Sequence, residues 1–134
     1  MPSMHRIILL AHGSSDRRWC QTFEQLAAPT LEAVPGSVIA YMELSSPSME
    51  DEIAKAAADG CQEVTILPLF LAAGRHLRKD VPDMITELQQ RYPLEIHLSP
   101  PVGENPRLGI AIREVVEQTL ADVDHGSHPQ ESAG

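Results

Sequence analysis

Met4-His5-Arg6-Ile7-Ile8-Leu9-Leu10-Ala11-His12-Gly13-Ser14-Ser15-Asp16 is the stretch whose reading decides the fold. From Met4 to Ala11 it is a short, nearly continuous apolar run rather than an alternating one, as expected of a strand covered on both faces in a parallel sheet. Gly13-Ser14-Ser15-Asp16 then supplies turn and N-cap side chains for a helix over roughly Arg17 to Ala33. A strand passing through one short turn into a helix is the first half of a βαβ unit. Open α/β sheets bind ligands outside the carboxyl ends of their strands, which makes His12 a candidate functional residue.

The same grammar recurs along the chain. Ser37 to Leu44 reads as a second strand; Ser45-Ser46-Pro47-Ser48 before Glu50, Asp51 and Glu52 starts a helix running to about Asp59, with Gly60 as its C-cap. Glu63 to Phe70 is a third strand, in which Pro68 lacks a ladder donor, so regular pairing should end or bulge there. After Ala72-Ala73-Gly74 a helix is expected from about Val81 to Tyr92, with Asp80 as N-cap and Pro82 in its first turn. Leu94 to Leu98 is a fourth strand, and Pro106 to Val123 a closing helix capped by Asn105. In the first helix Trp19, Phe23, Leu26 and Thr30 are the expected inner face, and Pro29 should bend it or end its regular part near Ala28.

Four strand-helix pairs predict one α/β domain over residues 1–123: a flavodoxin-like three-layer sandwich around a four-stranded parallel sheet of order 2-1-3-4. In that order strands one and three are neighbours and their connections leave in opposite directions, creating a switch point between them. His12 ends one of these strands and His76 follows the other, so two imidazoles distant in sequence are expected at one mouth. The polar tail 124–134, containing His125 and His128, is expected to be disordered.

Composition narrows the function. A chain of 134 residues is enough for one domain with a sizeable core. Its net charge of −9 argues against general nucleic-acid binding, and no apolar stretch is long enough to span a membrane. Without a secretory signal pattern, the cytoplasm is the expected compartment. Cys20 and Cys61 lack CxxC spacing and are expected to be free thiols. Of ten basic residues, five (Arg17, Arg18, Arg75, Arg78 and Lys79) lie beside the two histidines. If those loops meet, an acidic protein carries a local basic rim suited to a polyanionic small molecule. The plainer alternative is that these are solvated side chains in first helical turns.

Three segments resemble a known family: His12-Gly13-Ser14-x-Asp16-x-Arg18, Glu43-Leu44-x-x-Pro47-Ser48, and Pro68-Leu69-Phe70-Leu71-x-x-Gly74-x-His76-x-x-Lys79-Asp80-x-Pro82. Together they are similar to the short class II tetrapyrrole chelatases of the single-lobe sirohydrochlorin cobaltochelatase and ferrochelatase type. The resemblance covers roughly Arg6 to Val123. It implies insertion of Co²⁺, or Fe²⁺ or Ni²⁺, into sirohydrochlorin or a related tetrapyrrole in cobalamin or siroheme biosynthesis. It also implies a homodimer enclosing the tetrapyrrole cleft, with the metal as substrate and no permanently bound cofactor.

By the same resemblance His12, His76 and Glu43 handle the metal and the pyrrole protons, while Ser14, Arg17, Arg18, Gly74, Arg75, Arg78 and Lys79 meet the polycarboxylate substrate. Imidazole suits the late first-row divalent ions and titrates near neutral pH, whereas a thiolate cage holds such ions more tightly. Other readings are a metal or tetrapyrrole binding protein that completes no insertion, and a histidine-dependent phosphatase, although Ala11 stands where that fold has arginine. Ser14 and Ser45 lack a nucleophile elbow and read as capping residues, His5 and His97 as structural or surface residues.

Overall fold

The apolar run that opens the chain becomes an inner strand of a sheet, in a computed structural model that describes residues 5–124. The elements are β1 (His5–Ala11), α1 (Arg17–Ala33), β2 (Val38–Tyr41), α2 (Met49–Ala58), β3 (Glu63–Pro68), α3 (Val81–Arg91), β4 (Glu95–Leu98) and α4 (Pro106–Asp124). A π-helical turn, His76–Asp80, leads into α3, and a 3₁₀ turn, Val102–Glu104, precedes α4. The four strands are parallel in the order β2-β1-β3-β4, as the crossover argument requires. Ile8 pairs with Val38 on one side and Ile66 on the other, so β1 is hydrogen-bonded along both edges.

Successive side chains of the strands feed two different layers. Ile8, Leu10, Val64, Ile66 and Ile96 join Met49, Ile53 and Ala56 of α2 and Val81, Ile85 and Leu88 of α3 in the main core. Ala11 and Tyr41 face the other way, against Cys20 and Phe23 of α1. Burial on both faces explains why the first strand reads as a continuous apolar run.

Several expected boundaries shift for identifiable reasons. β2 stops at Tyr41, short of Leu44, because Leu44 takes a left-handed conformation (φ 64°) and the chain turns through a cis Ser46–Pro47 bond. Pro29 does not end α1, which continues to Ala33 and closes with the Val34 N–H on the Thr30 carbonyl at 2.8 Å. Gln25, whose carbonyl loses its partner to the proline ring, is exposed, so water can replace the bond. The packed residues of α1 are Cys20 and Ala27, with Phe23 half-buried; Trp19 and Leu26 are 62% and 69% exposed. Asp80 makes no side-chain cap, because the π-helical turn already has the chain in helical conformation when α3 begins. Asn105 does cap α4, its Oδ1 accepting from the Arg107 N–H at 2.9 Å. Asp124 belongs to α4 rather than to the tail, whose His125 and His128 lie outside the described residues.

Candidate functional site at the carboxyl ends of the strands

β1 delivers its chain directly into the His12-Gly13-Ser14 loop, and β2 delivers its own into Met42-Glu43-Leu44. These two loops are stitched together by backbone. The Met42 N–H donates to the Ala11 carbonyl at 2.9 Å and the Glu43 N–H to the His12 carbonyl at 3.3 Å. Contact this close requires Gly13: its φ is +88°, and a β-carbon there would collide with the Glu43 carbonyl. His12 and Glu43, 31 residues apart in the chain, are thereby held as backbone neighbours, both with exposed side chains.

Ser45 is a second clasp between the same loops. Its Oγ accepts from the Ser14 N–H at 3.0 Å and donates to the Ser14 carbonyl at 2.8 Å, and the Cys20 thiol lies 3.2 Å away. Neither serine is an N-cap. Ser14 Oγ accepts from the Asp16 N–H at 3.0 Å, while Asp16 itself caps α1 through the Arg18 N–H at 2.9 Å. Sequence reasoning treated Ser45 only as a helix-start residue; its clasp depends on a cross-loop contact that no local pattern encodes.

The third strand reaches the same mouth through Phe70. The His12 ring stacks on the Phe70 ring with centroids 4.0 Å apart and planes inclined by 13°. Phe70 is buried and opens the segment that runs on to Gly74 and His76, so this segment touches the first loop at Phe70. His76 begins the π-helical turn, which is tied back by the Arg78 N–H to the Gly74 carbonyl at 3.1 Å. Phe70 had no assigned role in the sequence reading; its aromatic character beside a histidine loop became meaningful only through the β1–β3 pairing.

The basic residues divide into two kinds. Arg18 folds back on Asp16 at 3.0 Å, holding that carboxyl below its ordinary range, and Lys79 sits 3.6 Å from Asp83 one helical turn on. Arg17, Arg75 and Arg78 are exposed. Tyr41 lies beneath the His12 loop with its hydroxyl buried and without a hydrogen-bond partner among the described residues. Burial, reinforced by Cys20 and Glu24, pushes its phenol up to about 12. Both cysteines are buried and neither is in a disulfide among the described residues, as expected.

At the opposite end of the sheet, His97 stands 3.1 Å from Glu63 and 3.7 Å from Glu95, with the His5 ring centroid 6.2 Å from its own. Both histidines are exposed surface residues, and His5 also bonds Thr65 Oγ1 at 2.6 Å. They lie far along the strands from the His12 mouth.

Comparison with known proteins adds three findings. The CbiX family model matches residues 6–119. A sirohydrochlorin cobaltochelatase of Sulfurisphaera tokodaii is 26% identical over 117 residues, covering 87% of this chain and 95% of that protein; a sirohydrochlorin ferrochelatase of Priestia megaterium is 26% identical over 123 residues, covering 89% of this chain but 46% of that one. Among solved structures, a CbiX protein of cobalamin biosynthesis from Marinobacter aquaeolei VT8 is 54% identical, with a TM-score of 0.88, covering 93% of this chain and 100% of that one.

Proposed function

The chain belongs to the CbiX family, and from that membership we propose that it is a sirohydrochlorin metal chelatase, with Co²⁺ as the preferred substrate ion. The observation that carries the reading is the joining of His12, Glu43 and Phe70 at one mouth by three different strand ends. The sirohydrochlorin cobaltochelatases of Sulfurisphaera tokodaii and Sulfolobus acidocaldarius, matched over 95% and 92% of their own length, favour cobalt over iron and nickel.

Metal insertion makes two chemical demands. The ion must shed water into a site that holds it weakly, and the two pyrrole N–H protons must leave as the metal–nitrogen bonds form. An imidazole meets both, because its neutral form is a ligand for late first-row ions and also a base near neutral pH. His12 is exposed to an incoming ring, and its stacking on Phe70 fixes the imidazole plane. Glu43, fastened to the His12 backbone, supplies a carboxylate that completes the metal's coordination or pairs with the imidazolium formed. His76 is assigned the complementary role from the third strand end. Arg17, Arg75 and Arg78 attract the substrate's carboxylates, with Arg18 and Lys79 partly occupied by their own acids. The ion is substrate throughout, and the chemistry calls for no resident redox group. The exposed side chains of His12 and Glu43 leave the mouth accessible to a second copy, which supports a homodimer that closes it around the tetrapyrrole.

The test is anaerobic mixing of purified protein with sirohydrochlorin and Co²⁺, Fe²⁺ or Ni²⁺, following the change in the tetrapyrrole absorption spectrum. The expected result is acceleration over the protein-free rate, largest with Co²⁺. No acceleration with any of the three ions overturns the proposal.

A further inference from the structure

The amino end of the sheet carries a set of metal-type donors that the carboxyl-end mouth does not use. Glu63 and Glu95 occupy matched positions on β3 and β4, and Thr65 is matched in the same way with His97. Strand residues alternate between faces, so Glu63, Glu95 and His97 stand together on the face turned away from the main core that Val64 and Ile96 enter. His97 Nε2 lies 3.1 Å from Glu63 Oε1 and 3.7 Å from Glu95 Oε1. One donor atom from each of the three residues lies within 4.8 Å of the other two.

As an ion-pair network this arrangement is under-compensated. Like charges directly opposed on neighbouring strands repel. Among the described residues neither carboxylate is paired with a lysine or arginine, and one imidazole serves both. A divalent ion cancels both charges at once. Donors bonded to one ion at about 2.0–2.2 Å sit about 2.8–3.6 Å apart in octahedral or tetrahedral shells, so the two contacts of His97 are already near the spacing of a filled shell. The three side chains are 46–70% exposed, which leaves the carboxylates free to rotate inward and water free to complete the coordination. One nitrogen with two oxygens suits late first-row divalent ions, whereas Mg²⁺ and Ca²⁺ favour oxygen-only shells. The His5 ring, its centroid 6.2 Å from that of His97, bonds Thr65 Oγ1 and flanks the donor set without joining it.

We propose that Glu63, Glu95 and His97 form a second metal site, which takes a late first-row divalent ion such as Zn²⁺ or Co²⁺ and clips β4 to β3. β4 is four residues long and lies at the edge of the sheet. An ion held from both strands is bound only while they keep their native register, so its binding free energy is added to the folded state. This ion stays with the protein, unlike a substrate ion passing through the mouth. The site stands independently of the chelatase reading, because His12 and Glu43 follow the opposite ends of their strands.

The experiment uses the full chain carrying His12→Ala, which weakens the mouth as a competing ligand, and titrates Zn²⁺ alone without tetrapyrrole. Histidine side-chain ¹H–¹⁵N correlations are recorded, the His97 signals being those that vanish in His97→Gln. A saturable shift of the His97 imidazole nitrogens with Zn²⁺, absent with Mg²⁺ at the same concentration, is expected. No shift with Zn²⁺ overturns the site, and so does an equal shift with Mg²⁺, which marks charge screening alone. Glu63→Gln preserves the shape of an exposed side chain and should weaken Zn²⁺ binding at His97 by more than the about tenfold that loss of even an outer-shell partner costs. Zn²⁺ should also raise the urea midpoint of the His12→Ala protein, and adding Glu63→Gln or His97→Gln should abolish that rise. A rise of the same size in all three proteins overturns the clip.

Discussion

At the scale of single residues, Gly13 is the most constrained position in the mouth. Its left-handed backbone costs an L-residue roughly 1–2 kcal/mol before any clash is counted, and the clash here is with backbone that cannot rotate away. Gly13→Ala should therefore lower the unfolding free energy by more than that conformational cost, lower the urea midpoint accordingly, and depress insertion activity by loosening Glu43 from His12. An unchanged midpoint in urea titration would contradict this. Tyr41 offers a spectroscopic check on the layer beneath. Its phenol is raised from 10.0 to about 12 by burial, so the folded state holds that proton more tightly than the unfolded chain does. The stability associated with it is fully present below pH 10 and is lost as pH rises toward 12. The phenolate absorbance that disappears in Tyr41→Phe should arise only near the unfolding step; its appearance near pH 10 would disprove the buried hydroxyl.

At the scale of elements, α2 shows how a local pattern became a packed helix. Ser48 and Asp51 form a reciprocal capping box at 3.1 Å in each direction, with Glu50, Asp51 and Glu52 in the first turn, and Ile53 is wholly buried between α2 and the sheet. Ile53→Ala should cost about 2–5 kcal/mol by chemical denaturation, and a loss below about 1 kcal/mol would show that this face is not the core. The elements whose signals are local were legible in the sequence: β1, the extent of α1, the end of β3 at Pro68 and the Asn105 cap. What was not legible depends on contacts between elements. The outward placement of Trp19 and Leu26 follows from the closeness of Cys20 and Ala27 to the sheet, and the π-helical entry into α3 from the fixed path between Phe70 and Val81. The site divides in the same way. His12 was readable as a candidate because strand ends form the mouth, and Glu43 only through the resemblance of its segment to the family; the Ser45 clasp and the Phe70 stack join residues 31 and 58 positions apart and carry no local signature.

At the scale of the whole molecule, the parallel sheet separates two regions of chemistry. Its carboxyl end gathers His12, Glu43 and the basic segments of an otherwise acidic protein, while its amino end gathers His5, Glu63, Glu95 and His97. Among the described residues no helix is long and apolar enough to cross a membrane. The central claim, that the carboxyl-end mouth inserts metal through its imidazoles, is tested most directly by the anaerobic rate of Co²⁺ insertion into sirohydrochlorin for the wild-type chain and for His12→Ala at matched protein concentration. A fall in kcat of about 10²-fold or more is predicted from loss of the base and ligand. Equal rates in the two proteins would contradict the assignment of the reaction to this site.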